Sequence, residues 1–114
     1  MELRTLQEAA SQYGTPTYLF DLDKLSQRME TLRLLLGNRP ALCFAMKANP
    51  FLTGALRELA DRFEVCSPGE YDICRRLQIP EEKLVISGVN KSLEDTARMM
   101  DDCPNMGRYT AESP

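Results

Sequence analysis

Histidine is absent from the 114 residues, and the four cysteines form no C-x-x-C pair. Zinc sites take their ligands mainly from these two residue types, so we expect no zinc site and assign no metal ligand. The cysteines are instead expected to be buried free thiols. They are Cys43, Cys66, Cys74 and Cys103.

Long apolar runs and basic clusters are missing as well. No apolar stretch approaches the roughly 18 residues of a membrane span, and the first residues lack the hydrophobic region of a signal peptide. The net charge of -3, with no basic stripe, argues against a nucleic-acid partner. We therefore expect a cytoplasmic protein that binds neither nucleic acid nor a membrane.

What the chain does contain is an alternation of strand-like and helix-like segments, in a composition that is 43% hydrophobic and 27% charged. Helical spacing of apolar residues predicts helices over residues 23–37 and Leu52 to Asp61. Strands are predicted within residues 15–23, 41–48, 62–67, 83–89 and 105–113.

Helix starts and ends are marked by specific residues. Ser67, followed by Pro68 and with Glu70 three residues on, forms a capping box before a helix. Ser92 to Asp95 predicts a second capped start. For the helix over residues 23–37, Asp21 or Asp23 can cap the start and Gly37 the end.

Strands and helices joined by short connections indicate right-handed βαβ units and a parallel sheet. A complete (β/α)8 TIM barrel takes about 250 residues, so we expect an α/β fold that forms its N-terminal portion, about half at most. Residues 1–22 would form a lead-in segment with a strand, and residues 23–114 the first βα units. A last strand with no helix after it suggests that the chain belongs to something longer.

The stretch FAMKANP, residues 44–50, carries the most informative side chain. Alternation places Leu42, Phe44 and Met46 on one face of the strand and Cys43, Ala45 and Lys47 on the other. Ligands bind at the carboxyl ends of strands in α/β folds, and an amine there suits Schiff-base chemistry. From spacing alone, a lysine that simply reaches water is the simpler interpretation.

Four motifs favour the functional interpretation of Lys47 over the simpler one. FAMKAN resembles the Y-A-V-K-A-N signature of the fold-type III pyridoxal-phosphate decarboxylases, the family of diaminopimelate and ornithine decarboxylases. YGTPTYLFDLDKL, FEVCSPGEY and SGVNKS resemble further segments of that family in the same order. The resemblance runs from about Tyr13 to Met100 and implies an alanine-racemase-like barrel.

The resemblance also implies an activity. It suggests the N-terminal part of a homodimeric decarboxylase that uses pyridoxal 5'-phosphate, with diaminopimelate, in lysine biosynthesis, as the first choice of amino-acid substrate. Ornithine, lysine, arginine or carboxynorspermidine are the other choices. The alternatives are a non-catalytic barrel homologue that binds a partner protein, as antizyme inhibitors do, or a protein of the alanine racemase type.

Three residues are assigned to the site by the resemblance. Lys47 would be the catalytic residue and would bind the cofactor through its amine, and Ala45 would leave room for the cofactor ring. Glu64 takes the place of an acidic residue that lies near the lysine, although a surface carboxylate is the alternative. The glycine-rich phosphate loop, the ring-stacking histidine and the substrate-binding residues are not in this chain, so we expect the segment to be inactive alone.

Overall fold

The structure is a computed structural model that describes residues 2–37, 39–88 and 90–111. The chain divides into two compact units, Met1–Leu35 and Leu36–Pro114. Among the described residues, no helix combines the length and the apolar character needed to cross a membrane.

The first unit consists of two helices, α1 (Leu3–Tyr13) and α2 (Leu22–Leu35). Asp21 caps α2, because its Oδ1 accepts a hydrogen bond of 3.0 Å from the backbone N–H of Lys24. Just beyond the last turn of α2, Gly37 has a φ of 68°, the left-handed conformation that glycine adopts without strain. Both predicted boundary signals are confirmed.

The strand predicted within residues 15–23 is wrong. Residues 14–21 form an irregular connection between α1 and α2, and Tyr18 within it is 86% exposed. The β-branched and aromatic residues there favour an extended backbone, but a strand also needs a neighbour to pair with. None of the four paired strands in the described part of the chain lies in this unit.

The second unit is built on a parallel sheet with the strand order β1-β2-β3-β4. Each connection from β1 onward returns the chain to the next position in the sheet, as expected for successive βαβ units. The strands are β1 (Cys43–Ala45), β2 (Arg62–Val65), β3 (Leu84–Ile86) and β4 (Arg108–Tyr109). Of the predicted strand segments, Val89 and residues 112–113 lie outside the described residues.

Helix α3 (Pro68–Arg76) follows β2, and helix α4 (Leu93–Asp102) follows β3. Ser67 Oγ accepts from the backbone N–H of Glu70 at 3.3 Å, and Ser92 Oγ accepts from that of Asp95 at 3.0 Å. Glu70 Oε2 reaches back to the N–H of Cys66 at 2.7 Å, one residue before the position that a standard capping box would use. Both predicted helix starts are confirmed.

The regular helix predicted from Leu52 to Asp61 is wrong. A short 3-10 helix, Pro50–Leu52, is followed by successive turns. Their backbone hydrogen bonds are mixed: Leu56 N–H donates to the carbonyl four residues earlier, that of Leu52, but Arg57 N–H donates to the carbonyl three residues earlier, that of Gly54. Glycine within the segment lowers its helical preference. Lys83, from a later part of the chain, stabilises the last turn, because its Nζ donates to the carbonyls of Arg57 at 2.7 Å and Ala60 at 3.0 Å.

One face of the sheet holds the core of this unit. We call it the buried face; the rings of Phe44 and Phe63 meet there edge to face, with their centroids 6.2 Å apart. Tyr71 and Cys74 of α3 and Met99 of α4 are also buried. The strand residues of this face that are no more than 2% exposed are Phe63, Val65, Leu84 and Ile86.

All four cysteines are free, as predicted, but only two are buried. Cys74 and Cys103 lie in the core, and burial raises the pKa of the Cys74 thiol to about 12, with the charge of Glu70 adding to the effect. Cys66 is half-buried and Cys43 is exposed. The prediction of burial is wrong for Cys43 and only partly correct for Cys66, because both side chains alternate to the opposite face of the sheet from the core.

Candidate functional site

The carboxyl ends of the first three strands bring the candidate residues to one edge of the sheet. Lys47 lies two residues after the end of β1, and Cys66 and Ser87 come directly after β2 and β3. Because the strands are parallel, all three residues lie at the same edge, where α/β folds bind their ligands.

The strand register also places side chains on a shared face. Ala45 pairs with Glu64, and Glu64 pairs with Val85, so these three residues form one row across β1, β2 and β3. Positions two residues away on each strand share the face of that row. We call this surface the open face; it is formed by Cys43, Ala45, Arg62, Glu64, Cys66, Val85 and Ser87, and the row continues to Arg108 of β4.

Lys47 lies in the 3-10 helix Met46–Ala48 and not in the strand that was predicted to continue through it. Met46 is completely buried, whereas Lys47 is exposed. Its amine makes no hydrogen bond or ion pair with any residue in the described ranges. The turn therefore holds the backbone through the apolar side chain of Met46 and leaves the amine accessible.

Small side chains precede Lys47 on the open face. Ala45 is half-buried and Cys43 is exposed, and both side chains are small. Partial shielding of the Cys43 thiol, followed by the negative charge of Glu64, raises its pKa, while Arg62 acts in the opposite direction. The charge of Glu64 on β2 therefore acts on the Cys43 thiol of the neighbouring strand β1.

Glu64 is half-buried and has a specific partner. The hydroxyl of Ser87 donates to Glu64 Oε1 at 2.7 Å, and the same hydroxyl lies 3.5 Å from Cys66 Sγ. This arrangement does not fit the alternative of a solvated surface carboxylate. No ion pair joins Glu64 to Lys47 within the described part of the chain, so the predicted support of the lysine would have to act without direct contact.

Ser87 lies on the open face, although neither the sequence pattern nor the resemblance assigned it a role there. The available signal was positional, since a serine directly after a strand, at an alternate position to Val85, faces the same side as Glu64.

Other residues of SGVNKS have structural roles. Gly88 has a φ of 83°, and a Cβ added there would lie 3.2 Å from Cys66 Cβ, so a side chain would be strained and crowded. Lys91 Nζ donates to the backbone carbonyl of Thr110, just past β4, and lies 3.4 Å from its Oγ1. These contacts tie the ends of β3 and β4 together.

Ser67 and Glu70 also lie at the carboxyl edge, and their polar groups are engaged with the backbone as described above. They are therefore explained by helix capping. In the described ranges, no group of three or more Cys, Asp or Glu side chains is placed to hold a metal ion.

Known proteins resemble this chain in sequence, although no family model matches it. Diaminopimelate decarboxylase of Aquifex aeolicus is 31% identical over 99 residues, which cover 85% of this chain and 23% of that protein. Diaminopimelate decarboxylase of Pseudomonas fluorescens is 33% identical over 99 residues, covering 84% of this chain and 24% of the relative. The chain thus spans about a quarter of the length of the curated relatives it matches.

Solved structures resemble the fold as well. AQ1208 from Aquifex aeolicus matches 95% of this chain and 27% of its own, with a TM-score of 0.80 and 29% identity. SrLDC, solved in complex with PLP and cadaverine, matches 100% of this chain and 30% of its own, with a TM-score of 0.83 and 25% identity. Lysine decarboxylase from Selenomonas ruminantium gives a TM-score of 0.81.

The chain belongs to the family of fold-type III pyridoxal-phosphate-dependent decarboxylases, and its parallel sheet corresponds to the N-terminal part of their α/β barrel. Within that class, it resembles diaminopimelate decarboxylases at about 30% identity.

Proposed function

We propose that this chain is the N-terminal barrel segment of a pyridoxal-phosphate-dependent amino-acid decarboxylase, with Lys47 as the residue that binds the cofactor. The observation that carries the proposal is the exposed amine of Lys47 at the carboxyl edge of the sheet, beside the small side chains of Cys43 and Ala45. The proposal includes a cytoplasmic location, as expected from the sequence, and a homodimer, which rests on the resemblance alone.

The residues on the open face fit part of the cofactor. An accessible primary amine can bind its aldehyde, and Ala45 leaves space for its ring. The six glycines lie at positions 14, 37, 54, 69, 88 and 107, too far apart for a glycine-rich phosphate loop. We therefore assign phosphate binding to residues outside this chain and expect residues 1–114 alone to hold the cofactor weakly and to be inactive.

When it is bound, pyridoxal phosphate supplies an electron sink for the carbanion that decarboxylation leaves. The part that falls to this chain is to present the amine of Lys47 and to carry a proton on Nζ. Glu64 places a negative charge on the open face, in the row next to Ala45.

Diaminopimelate is the proposed substrate, because it is the substrate named for the curated relatives. Lysine is the second candidate, favoured by the structural match to the lysine decarboxylase of Selenomonas ruminantium. The two amino acids differ by one carboxylate, so side chains that contact this group would discriminate between them.

Reductive labelling tests the assignment of Lys47. The complete protein that contains this segment would be incubated with pyridoxal phosphate, reduced with borohydride and mapped by peptide mass spectrometry. We expect the pyridoxyl group on Lys47, its loss in Lys47→Arg, and its retention in Lys91→Arg, the matched control at the same edge of the sheet. Labelling of another lysine, or of none, would disprove the assignment.

Release of CO2 from diaminopimelate, lysine and ornithine tests the activity. We expect diaminopimelate to give the highest kcat/KM. A preference for lysine would support the second candidate, and no release from any amino acid by the labelled protein would favour a non-catalytic homologue.

A further inference from the structure

We propose that Ser87 is a positioning residue that holds the carboxylate of Glu64 in a fixed orientation on the open face. The proposal rests on the function proposed above, because it concerns the same site, and it adds a residue that the resemblance does not assign. Ser87 would act through Glu64 and would not itself touch the cofactor or the substrate.

The first argument is the hydrogen bond itself. An ionised carboxylate can only accept, so the Ser87 hydroxyl is the donor in the 2.7 Å contact with Glu64 Oε1. Hydrogen bonds to a charged group are shorter and stronger than neutral ones. Ser87 is 7% exposed, so water has little access to compete for its hydroxyl.

The second argument is that Ser87 is itself held in place. Its backbone N–H donates to the carbonyl of Val65 at 2.9 Å, which continues the pairing of β2 with β3 by one step. Its hydroxyl also lies 3.5 Å from Cys66 Sγ, and Gly88 next to it passes close to Cys66 Cβ. The hydroxyl therefore sits between two side chains of the neighbouring strand, with little freedom to turn away.

The third argument concerns what Glu64 would do without this contact. A glutamate has three rotatable side-chain bonds, and on a half-buried surface its carboxylate can take several positions. Among the described residues, Glu64 makes no ion pair with Lys47. The hydrogen bond from Ser87 therefore selects one position of the carboxylate. A charge that is already held in one position costs no reorganisation during the reaction.

Other charged groups around Glu64 do not replace Ser87. On its own strand, the guanidinium of Arg62 donates to the carbonyl of Glu82. On β4, Arg108 lies in the same register row beyond Val85, two strands away from Glu64. On β1, Ala45 is the residue paired with Glu64, and Cys43 is paired with Arg62; neither Ala45 nor a thiol carries a positive charge.

The test compares Ser87→Ala, Ser87→Thr, Glu64→Gln and the double variant Ser87→Ala/Glu64→Gln in the complete protein loaded with pyridoxal phosphate. We expect Ser87→Ala and Glu64→Gln to change the absorbance spectrum of the bound cofactor in the same direction. Ser87→Thr, which keeps the hydroxyl, should retain the original spectrum. In kinetics, Ser87→Ala should lower kcat about tenfold with KM changed less than about twofold.

The double variant shows whether the effect of Ser87→Ala arises through Glu64. If Ser87 acts only through Glu64, the double variant should match Glu64→Gln alone. Additive effects, an unchanged spectrum in Ser87→Ala, or equal changes in Ser87→Ala and Ser87→Thr would overturn the proposal. Ser92→Ala, which removes the cap of α4, is the control and should leave the spectrum unchanged.

Ser87→Cys keeps the volume of the side chain and weakens the donor, so it replaces Ser87→Ala if that variant does not fold, with the same expectations. The labelling of Lys47 separates the two proposals. Cofactor found on Lys47 together with a silent Ser87→Ala would overturn only the positioning role, whereas no cofactor on Lys47 would overturn the proposed function.

Discussion

The two faces of the parallel sheet differ in how deeply their side chains are buried. On the buried face, strand residues such as Phe63 and Leu84 are completely buried against the core. On the open face, Glu64 and Cys66 are half-buried, and the side chains next to Lys47 are small. In this unit, the buried face therefore provides stability and the open face provides the groups that can react.

Neighbouring residues of one strand serve these different purposes. In β2, Phe63 and Val65 are buried, whereas Glu64 between them accepts the hydrogen bond from Ser87. A slip of one residue in register would exchange the two sets and bury a carboxylate in the core. This separation can be tested face by face.

The largest effect on stability is expected on the buried face. Phe63→Ala removes a ring that is 0% exposed and loses its edge contact with Phe44, so it should lower the free energy of unfolding by about 3–5 kcal/mol. Denaturant unfolding of the chain measures the change. Phe51→Ala, the same substitution at a residue that is 80% exposed, is the control and should stay within about 0.5 kcal/mol. Similar losses in both variants would contradict the contrast between buried and exposed positions.

On the open face, a substitution should affect the reaction instead. Glu64→Gln keeps the size of the side chain and can still accept from Ser87, but removes the charge. Turnover of the complete protein should fall ten- to a hundredfold, which corresponds to about 1–3 kcal/mol in the barrier, with little change in its melting temperature. Glu58→Gln, an exposed carboxylate in the turns after Pro50, is the control. Unchanged kinetics in Glu64→Gln would mean that the charge has no part in the reaction.

A smaller effect on stability tests whether Ser67, at the carboxyl edge, only caps a helix or also takes part in cofactor binding. Ser67→Ala removes the side-chain acceptor for the N–H of Glu70 and should lower stability by about 1 kcal/mol. Ser92→Ala, which removes the equivalent cap of α4, should cost about the same. Borohydride labelling of Lys47 should be unchanged in both. A loss of labelling confined to Ser67→Ala would show that Ser67 has a role at the site.

The smallest expected effect reports the electric field on the open face. The charge of Glu64 contributes to the raised pKa of the Cys43 thiol, so removing that charge lowers this pKa and increases the thiolate fraction near pH 8. Alkylation of Cys43 by iodoacetamide should be a few-fold faster in Glu64→Gln, as followed by mass spectrometry of the 114-residue chain. Glu58→Gln should leave the rate unaltered. An equal or slower rate in Glu64→Gln would place the carboxylate out of range of Cys43.

The features that were predicted correctly depend on residues close together in the chain. Asp21, Ser67 and Ser92 cap helices whose first N–H groups lie three residues away, so the signal and the structure it produces are local. The placement of Phe44 on one face of β1 and of Cys43 and Ala45 on the other followed from alternation, because a strand turns successive side chains to opposite faces. The parallel order followed from the alternation of strands and helices with short connections.

The tertiary structure decided the rest, because those features depend on partners far away in the chain. The extended-favouring residues around Tyr18 have no strand to pair with, and Lys83 closes turns that are more than twenty residues earlier. Cys43 is exposed since its face of the sheet carries no core. The contact between Ser87 and Glu64 joins residues 23 positions apart. Neither residue shows this pairing by itself, since only the register of two adjacent strands brings a hydroxyl and a carboxylate within hydrogen-bonding distance.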